Sequence, residues 1–105
     1  MQRHGKQRPT PEEAFATVLR AERKKAGLSQ EQLGFDSGYH RTYIGMLERG
    51  LMNPSLRTIL SIASALGAPA GRLLGLVEDE LGSPWRQPEK KVGRAGGGSG
   101  ERATR

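Results

Sequence analysis

Residues Gln30 to Arg49 read QEQLGFDSGYHRTYIGMLER, and this stretch decides the fold. Two short helices that meet at a steep angle need a small residue where their backbones approach. Gly34 supplies it. The turn between them needs a residue that accepts positive φ, and Gly38 supplies that. Leu33 before the turn, and Tyr39, Ile44 and Leu47 after it, are spaced to point into one core. An ordinary corner of two helices meets the same demands, so the flanking sequence must separate the possibilities.

Working outward, Ser29-Gln30-Glu31-Gln32 reads as a capping box that opens a helix through about Ser37. A third helix is expected from about His40 to Arg49, closed by Gly50. Upstream, a first helix starts at Pro11 with Thr10 as N-cap and Glu12 and Glu13 favouring its dipole. Its face carries Phe15, Val18, Leu19, Glu22, Arg23 and Ala26, and Gly27 ends it. Downstream, the Leu51 to Pro54 loop leads to a fourth helix capped by Ser55 or Asn53. Its apolar face is read as Leu56, Ile59, Leu60, Ala63 and Leu66, with Gly67 as the stop. A fifth helix begins near Pro69 and carries Leu73, Leu74, Leu76 and Val77 towards Leu81. Nothing in residues 11–81 alternates as a strand does, so the fold class is all-α, a compact bundle of five short helices. Small, Gly and apolar residues at the offsets of 30–49 are the helix-turn-helix pattern, whose second helix enters the DNA major groove.

The chain has 105 residues and a formal net charge of +6, with 34% hydrophobic residues against roughly 45–50% in an ordinary domain. That length suits one domain. The charge divides unevenly. Residues 1–10 carry Arg3, Lys6 and Arg8 without an acid, and 82–105 carry six basic residues against Glu89 and Glu101. Residues 11–81 hold 8 basic and 9 acidic groups, a net of −1. The expected organisation is therefore a flexible basic N-terminal arm over 1–10, a folded domain over 11–81, and a flexible Gly-rich basic tail over 82–105. Basic character lives in the tails, so any case for nucleic acid must rest on local placement.

The chain has no cysteine, which excludes a disulfide scaffold, thiolate zinc and a cysteine nucleophile. Ile59 to Val77, the most apolar stretch, is broken by Ser61, Ser64, Pro69 and Arg72 and is a poor membrane span. The basic N-terminus lacks the apolar run of a signal peptide, so a cytoplasmic location is expected. His4 and His40 are the two histidines, and no P-loop, metal-ligand cluster or dinucleotide fingerprint is present. The expectation is no enzyme, no catalytic residue, no cofactor, no metal and no small-molecule substrate.

The flanks AGLSQEQLG, SGYHRTYIGMLERG and NPSLRTILSIASALGAP closely resemble the Xre, or lambda-repressor-like (Cro-type), helix-turn-helix transcription regulators. The resemblance covers roughly residues 15–75 and includes the order of all five helices. HRTYIG with ERG and NPSL resembles, in particular, the controller proteins of restriction–modification systems. Gly34 stands where the family usually has Ala, Ser37 where it is often apolar, and Gly45 falls inside the recognition helix.

The resemblance implies double-stranded DNA as partner and a homodimer as the acting form. It places Arg41 and Thr42 on base edges, with Met46 one turn later against a thymine methyl or else in the core. It gives Gln30, Arg49 and Asn53 phosphate contacts, with a solvent-facing position as the alternative for Gln30. His40 and Tyr43 suit the sugar-phosphate backbone, although Tyr43 could instead be a surface aromatic over the first helix. Arg23 and Glu48 match a structural ion pair joining the first helix to the third. Leu73, Leu76, Val77, Leu81 and Trp85 form the candidate dimer interface, unless Trp85 folds back on its own subunit. The rival function is a helix-turn-helix module used mainly for protein–protein contact, as an antitoxin or bridging factor. Arg41 and Thr42 at the groove-facing positions favour DNA.

Overall fold

Thr10 opens the first helix, α1 (Pro11–Lys25), in a computed structural model that describes residues 8–82 and 85–87. The Thr10 hydroxyl accepts from the Glu13 N–H at 3.1 Å, and the Glu13 carboxylate accepts from the Thr10 N–H at 3.0 Å. This is a complete capping box. The one expected at Ser29 is only half formed. Ser29 caps α2 (Gln30–Ser37) by accepting from the Gln32 N–H at 3.0 Å. The Gln32 amide, however, donates to Asp36 at 3.0 Å, a charged acceptor one turn further on. Gly38, at φ 87°, ends α2 and starts the turn into α3 (Arg41–Glu48).

Then follow α4 (Leu56–Leu66), capped by Ser55 and not by Asn53, and α5 (Ala70–Leu81), whose N-cap Pro69 offers no side-chain bond. The five helices are accompanied, among the described residues, by no strand. Within them no single helix is long and apolar enough to cross a membrane. The expected arm and tail fall largely on 1–7, 83–84 and 88–105, outside the described residues.

Helix α1 packs against α5 on one side and α3 on the other, while α2 packs against α3 and α4. The space between them is filled by Leu19, Leu33, Ile44, Leu47, Ile62 and Leu73, all fully buried, with Phe15, Val18, Val77 and Leu81 around them. Each such side chain contributes about 1.5–3 kcal/mol of transfer free energy. Arg8, just before α1, donates to the last carbonyl of α5, Leu81 O, at 3.2 Å.

Helix α4 is rotated relative to its sequence reading. Of the face read as inward, Ala63 is buried and Ile59 and Leu66 pack on the core, but Leu56 and Leu60 are 69% and 52% exposed, and Thr58 and Ile62 are buried instead. Arg57, Ser61 and Ser64 mark the outward face at helical spacing, opposite Ile59, Ile62, Ala63 and Leu66. Hydrogen bonds secure the inward face. The buried Thr58 hydroxyl bonds the Tyr39 hydroxyl at 2.9 Å and the Ser55 hydroxyl at 3.0 Å. Leu74, read with the core, is 38% exposed.

The approach of α2 to α3 is as close as the sequence requires. A Cβ built on Gly34 would lie 2.5 Å from Tyr39 O and 3.2 Å from Arg41 N, both backbone atoms. A Cβ on Gly45, inside α3, would meet only the Gln30 side chain, at an ordinary 3.6 Å. The two glycines should therefore respond oppositely to Ala in urea denaturation. Gly34→Ala is expected to lose about 1–3 kcal/mol by overpacking. Gly45→Ala is expected to gain about 0.5–1 kcal/mol from helix propensity.

Candidate nucleic-acid interface

The site is built where the first turns of α2 and α3 meet. His40 is the N-cap of α3, its Nδ1 accepting from the Thr42 N–H at 3.0 Å. A neutral imidazole that accepts through Nδ1 carries its proton on Nε2, so its outer edge is a donor. Beside it, Arg41 and Thr42 are exposed. The Arg41 guanidinium Nη1 lies 3.8 Å from a carboxylate oxygen of Glu31, in the first turn of α2. An open cleft of about 340 Å³, lined by Glu31, Phe35, Tyr39, His40 and Arg41, lies between the two helix starts.

On the other side of α3, Ile44, Leu47 and Glu48 are buried, which turns Arg41, Thr42, Gly45 and Met46 outward at helical spacing. Met46 is half-buried and stands apart from the residues packed on the core. Tyr43 does not lie as a free aromatic on the surface. It is half-buried against the core, its ring tilted on Tyr39 with centroids 5.1 Å apart.

Glu48 is the point on which α3 is hung. Arg23 of α1 grips it with two bonds, Nε to Oε2 at 2.6 Å and Nη2 to Oε1 at 3.1 Å. The remaining Arg23 Nη1 donates to Leu28 O at 2.8 Å. The pair joins the first and third helices, with a third partner that sequence reasoning missed. The Gln30 amide donates to Glu48 Oε1 at 3.0 Å, while the residue stays exposed at the start of α2. The backbone at this N-terminus is also able to face an anion. A contact between residues 18 apart across a turn leaves no periodic signal in the sequence.

Burial pushes the Glu48 carboxyl up, but the hydrogen bonds from Arg23 and Gln30 and the charges of Arg23 and Arg20 outweigh it, and the group is held below the ordinary glutamate value. The Glu48 hydrogen bond holds the Arg23 guanidinium above its own ordinary value.

The other expected contact residues stand apart from this cluster. Arg49, exposed, is the C-cap of α3, so it sits at the far end of a helix about 12 Å long. Asn53 is exposed and lines a separate groove with Pro11, Phe15, Pro54 and Leu74. The expected dimer face is also revised. Leu73, Val77 and Leu81 are 0%, 7% and 6% exposed, because α5 closes on α1 through this i, i+4, i+8 stripe, and they are unavailable to a second copy. Leu76 is half-buried on the core and Trp85 remains 43% exposed. Among the described residues, the large apolar side chains left in solvent are instead Phe35, Leu51, Leu56, Leu60, Leu74 and Trp85. Among the described residues no group of His, Asp and Glu is placed to hold a metal ion.

Glu48 makes the fold acid-sensitive with a definite sign. A carboxyl lowered on folding stabilises the native state above its unfolded value of about 4.3, and that stabilisation is lost as the pH falls through the folded value. Glu48→Gln is expected to be less stable than the wild type at pH 7. Its urea midpoint should fall less steeply as the pH drops below the unfolded value of about 4.3. Equal pH slopes for the two proteins would show that the pair does not carry this linkage.

Residues 19–73 match the family described as Helix-turn-helix. Control protein C.SmaI of Serratia marcescens is 45% identical over 62 residues, which cover 59% of this chain and 74% of that protein. Control protein C.BamHI of Bacillus amyloliquefaciens is 48% identical over 50 residues, covering 48% of this chain and 62% of that protein. The crystal structure of the restriction-modification controller protein C.AhdI from Aeromonas hydrophila superposes with a TM-score of 0.58 at 45% identity, covering 59% of this chain and 94% of that one. With the two-helix unit, its flanking helices and more than half of the sequence matched, the chain belongs to the helix-turn-helix family of Xre type.

Proposed function

We propose that this chain is a sequence-specific DNA-binding transcriptional regulator that acts as a homodimer with α3 in the major groove. The observation that carries this reading is the exposed first turn of α3. His40, Arg41 and Thr42 stand together there on a helix whose opposite face is fixed by Ile44, Leu47 and Glu48. Arg41 has the reach and fork geometry to take guanine O6 and N7, and the Thr42 methyl suits a thymine methyl. The outward edge of His40 and the guanidinium of Arg49 supply phosphate contacts, and the backbone at the start of α2 supplies another. The printed names of C.SmaI, C.BamHI and C.AhdI support control of a restriction–modification system as the specific role. That role requires recognition and no bond-making chemistry, so the chain is read as a regulator and not as an enzyme, working in the cytoplasm.

A helix of eight residues reads only a few base pairs, and a two-fold copy places a second reader about one helical turn, 34–36 Å, along the duplex. With Leu73, Val77 and Leu81 withdrawn into the core, Leu74, Leu76 and Trp85 are the part of the α5 side left for that contact. Sedimentation at tens of micromolar is expected to show twice the chain mass. A monomer at that concentration would remove the homodimer from the reading.

The base-reading assignment is tested with duplexes selected by the protein from a randomised pool and titrated beside random duplexes at several salt concentrations. Arg41→Ala is expected to weaken binding to the selected duplexes by about 1–3 kcal/mol and relax one base position. An unchanged ratio of selected to random affinity would overturn the assignment.

A further inference from the structure

We infer that His40 is a positioning residue for base reading: its Nδ1 holds the first turn of α3 in the form that fits a base edge, while its outward N–H sets only the overall affinity. This rests on Arg41 and Thr42 reading bases, as proposed above. The capping bond ends on the amide of Thr42 itself, at 3.0 Å, and spans Arg41. Its origin is fixed as well. A Cβ on Gly34 would lie 3.3 Å from the carbonyl carbon of His40, so α2 rests on the backbone that carries the imidazole. The His40 carbonyl accepts from the Tyr43 and Ile44 N–H groups at 3.0 and 3.2 Å. Residue 40 therefore engages three amides at the start of α3, one of them through its side chain.

The cap acts on discrimination through the unbound protein. The bond is made before DNA arrives, so its presence in the complex adds nothing by itself. What it changes is the fraction of molecules whose first turn is already formed, and a site that needs a formed turn is weakened in proportion to that fraction. An eight-residue helix with an interior glycine has little helicity of its own, so losing the cap frays its start. Ile44, Leu47 and Glu48 keep the rest in place. The penalty falls on the selected duplex, where Arg41 and Thr42 must meet base edges at fixed spacing. A random duplex is held through phosphates, which a frayed turn still reaches. The outer N–H of the ring donates to phosphate and acts alike on both complexes.

Two substitutions separate the two edges of the ring. Asn carries an oxygen one bond beyond Cγ, near the place of Nδ1, and is among the strongest N-caps, but it does not reach outward. Gln carries its amide nitrogen two bonds beyond Cγ, near the place of Nε2, and is not a preferred cap. His40 is exposed, so both variants are expected to fold, as thermal melts check. Full-length wild type, His40→Asn, His40→Gln and Arg41→Ala are titrated at pH 8 against selected and random duplexes. His40→Asn is expected to keep the selected-to-random ratio within about twofold of wild type while weakening both affinities by one factor, about two- to tenfold. His40→Gln is expected to narrow the ratio about two- to fivefold through lost binding to the selected duplex alone, with faster hydrogen exchange at the Thr42 amide. If His40→Asn narrows the ratio as far as His40→Gln does, or His40→Gln leaves it unchanged, the inference is overturned while the base-reading role stands. If Arg41→Ala leaves the ratio unchanged, both fall.

Discussion

The buried carboxylate of Glu48 is the constraint on which the geometry of the site depends. It draws Arg23 from α1 and Gln30 from α2 onto the last residue of α3, and Arg23 in turn holds the Leu28 carbonyl between them. Such a cluster is a poor source of net stability, because taking two charges out of water offsets most of their attraction. What it does well is reject other arrangements. Rotating α3, or sliding it along α1, would leave a 4% exposed glutamate without its partners, and removing one partner from a buried pair costs about 3–5 kcal/mol. An apolar residue at this position would tolerate small rotations. A carboxylate held by three donor groups, Nε and Nη2 of Arg23 and Nε2 of Gln30, does not.

Charge enters the site in the same local way. The +6 of the chain looks like the mark of a polyanion binder, yet residues 11–81 carry a net of −1. Arg41 and Arg49 lie at the two ends of the short α3, while Glu78, Asp79 and Glu80 are exposed along α5. Within one Debye length, about 8–10 Å at ordinary salt, a duplex feels the groups nearest to it and not the sum over the domain.

Most of the fold was legible in the sequence because its boundaries are marked by local chemistry. Thr10, Ser29 and Ser55 cap helices, and Gly38 and Gly67 end them in the left-handed region, all within a few residues of the groups they serve. The site was legible to the extent that it depends on helical spacing. Arg41 and Thr42 face outward because Ile44 and Leu47 face inward, and Arg23 meets Glu48 as expected. The exposure of Leu56 and Leu60 was missed although Arg57, Ser61 and Ser64, at helical spacing, mark the outward face of α4. Facts set by long-range contacts were not legible. The burial of Leu73, Val77 and Leu81 follows from how closely α5 meets α1. A count of leucines beyond a notional core could not reveal that.

Helix α3 is too short to exist by itself. Isolated helices below about 12–15 residues are marginal in water, and this one has eight residues with a glycine in its interior. Its helicity is therefore supplied by the His40 cap, by Ile44 and Leu47 in the core, and by Glu48 on Arg23 and Gln30. Folding and recognition are thus not separable properties of this element. A change that loosens Glu48 does not leave a well-formed helix at a slightly wrong angle, because the contacts that set the angle also keep the residues helical. Damage at the buried end of α3 must then appear at its exposed start, where His40, Arg41 and Thr42 lose the fixed spacing that lets them act together.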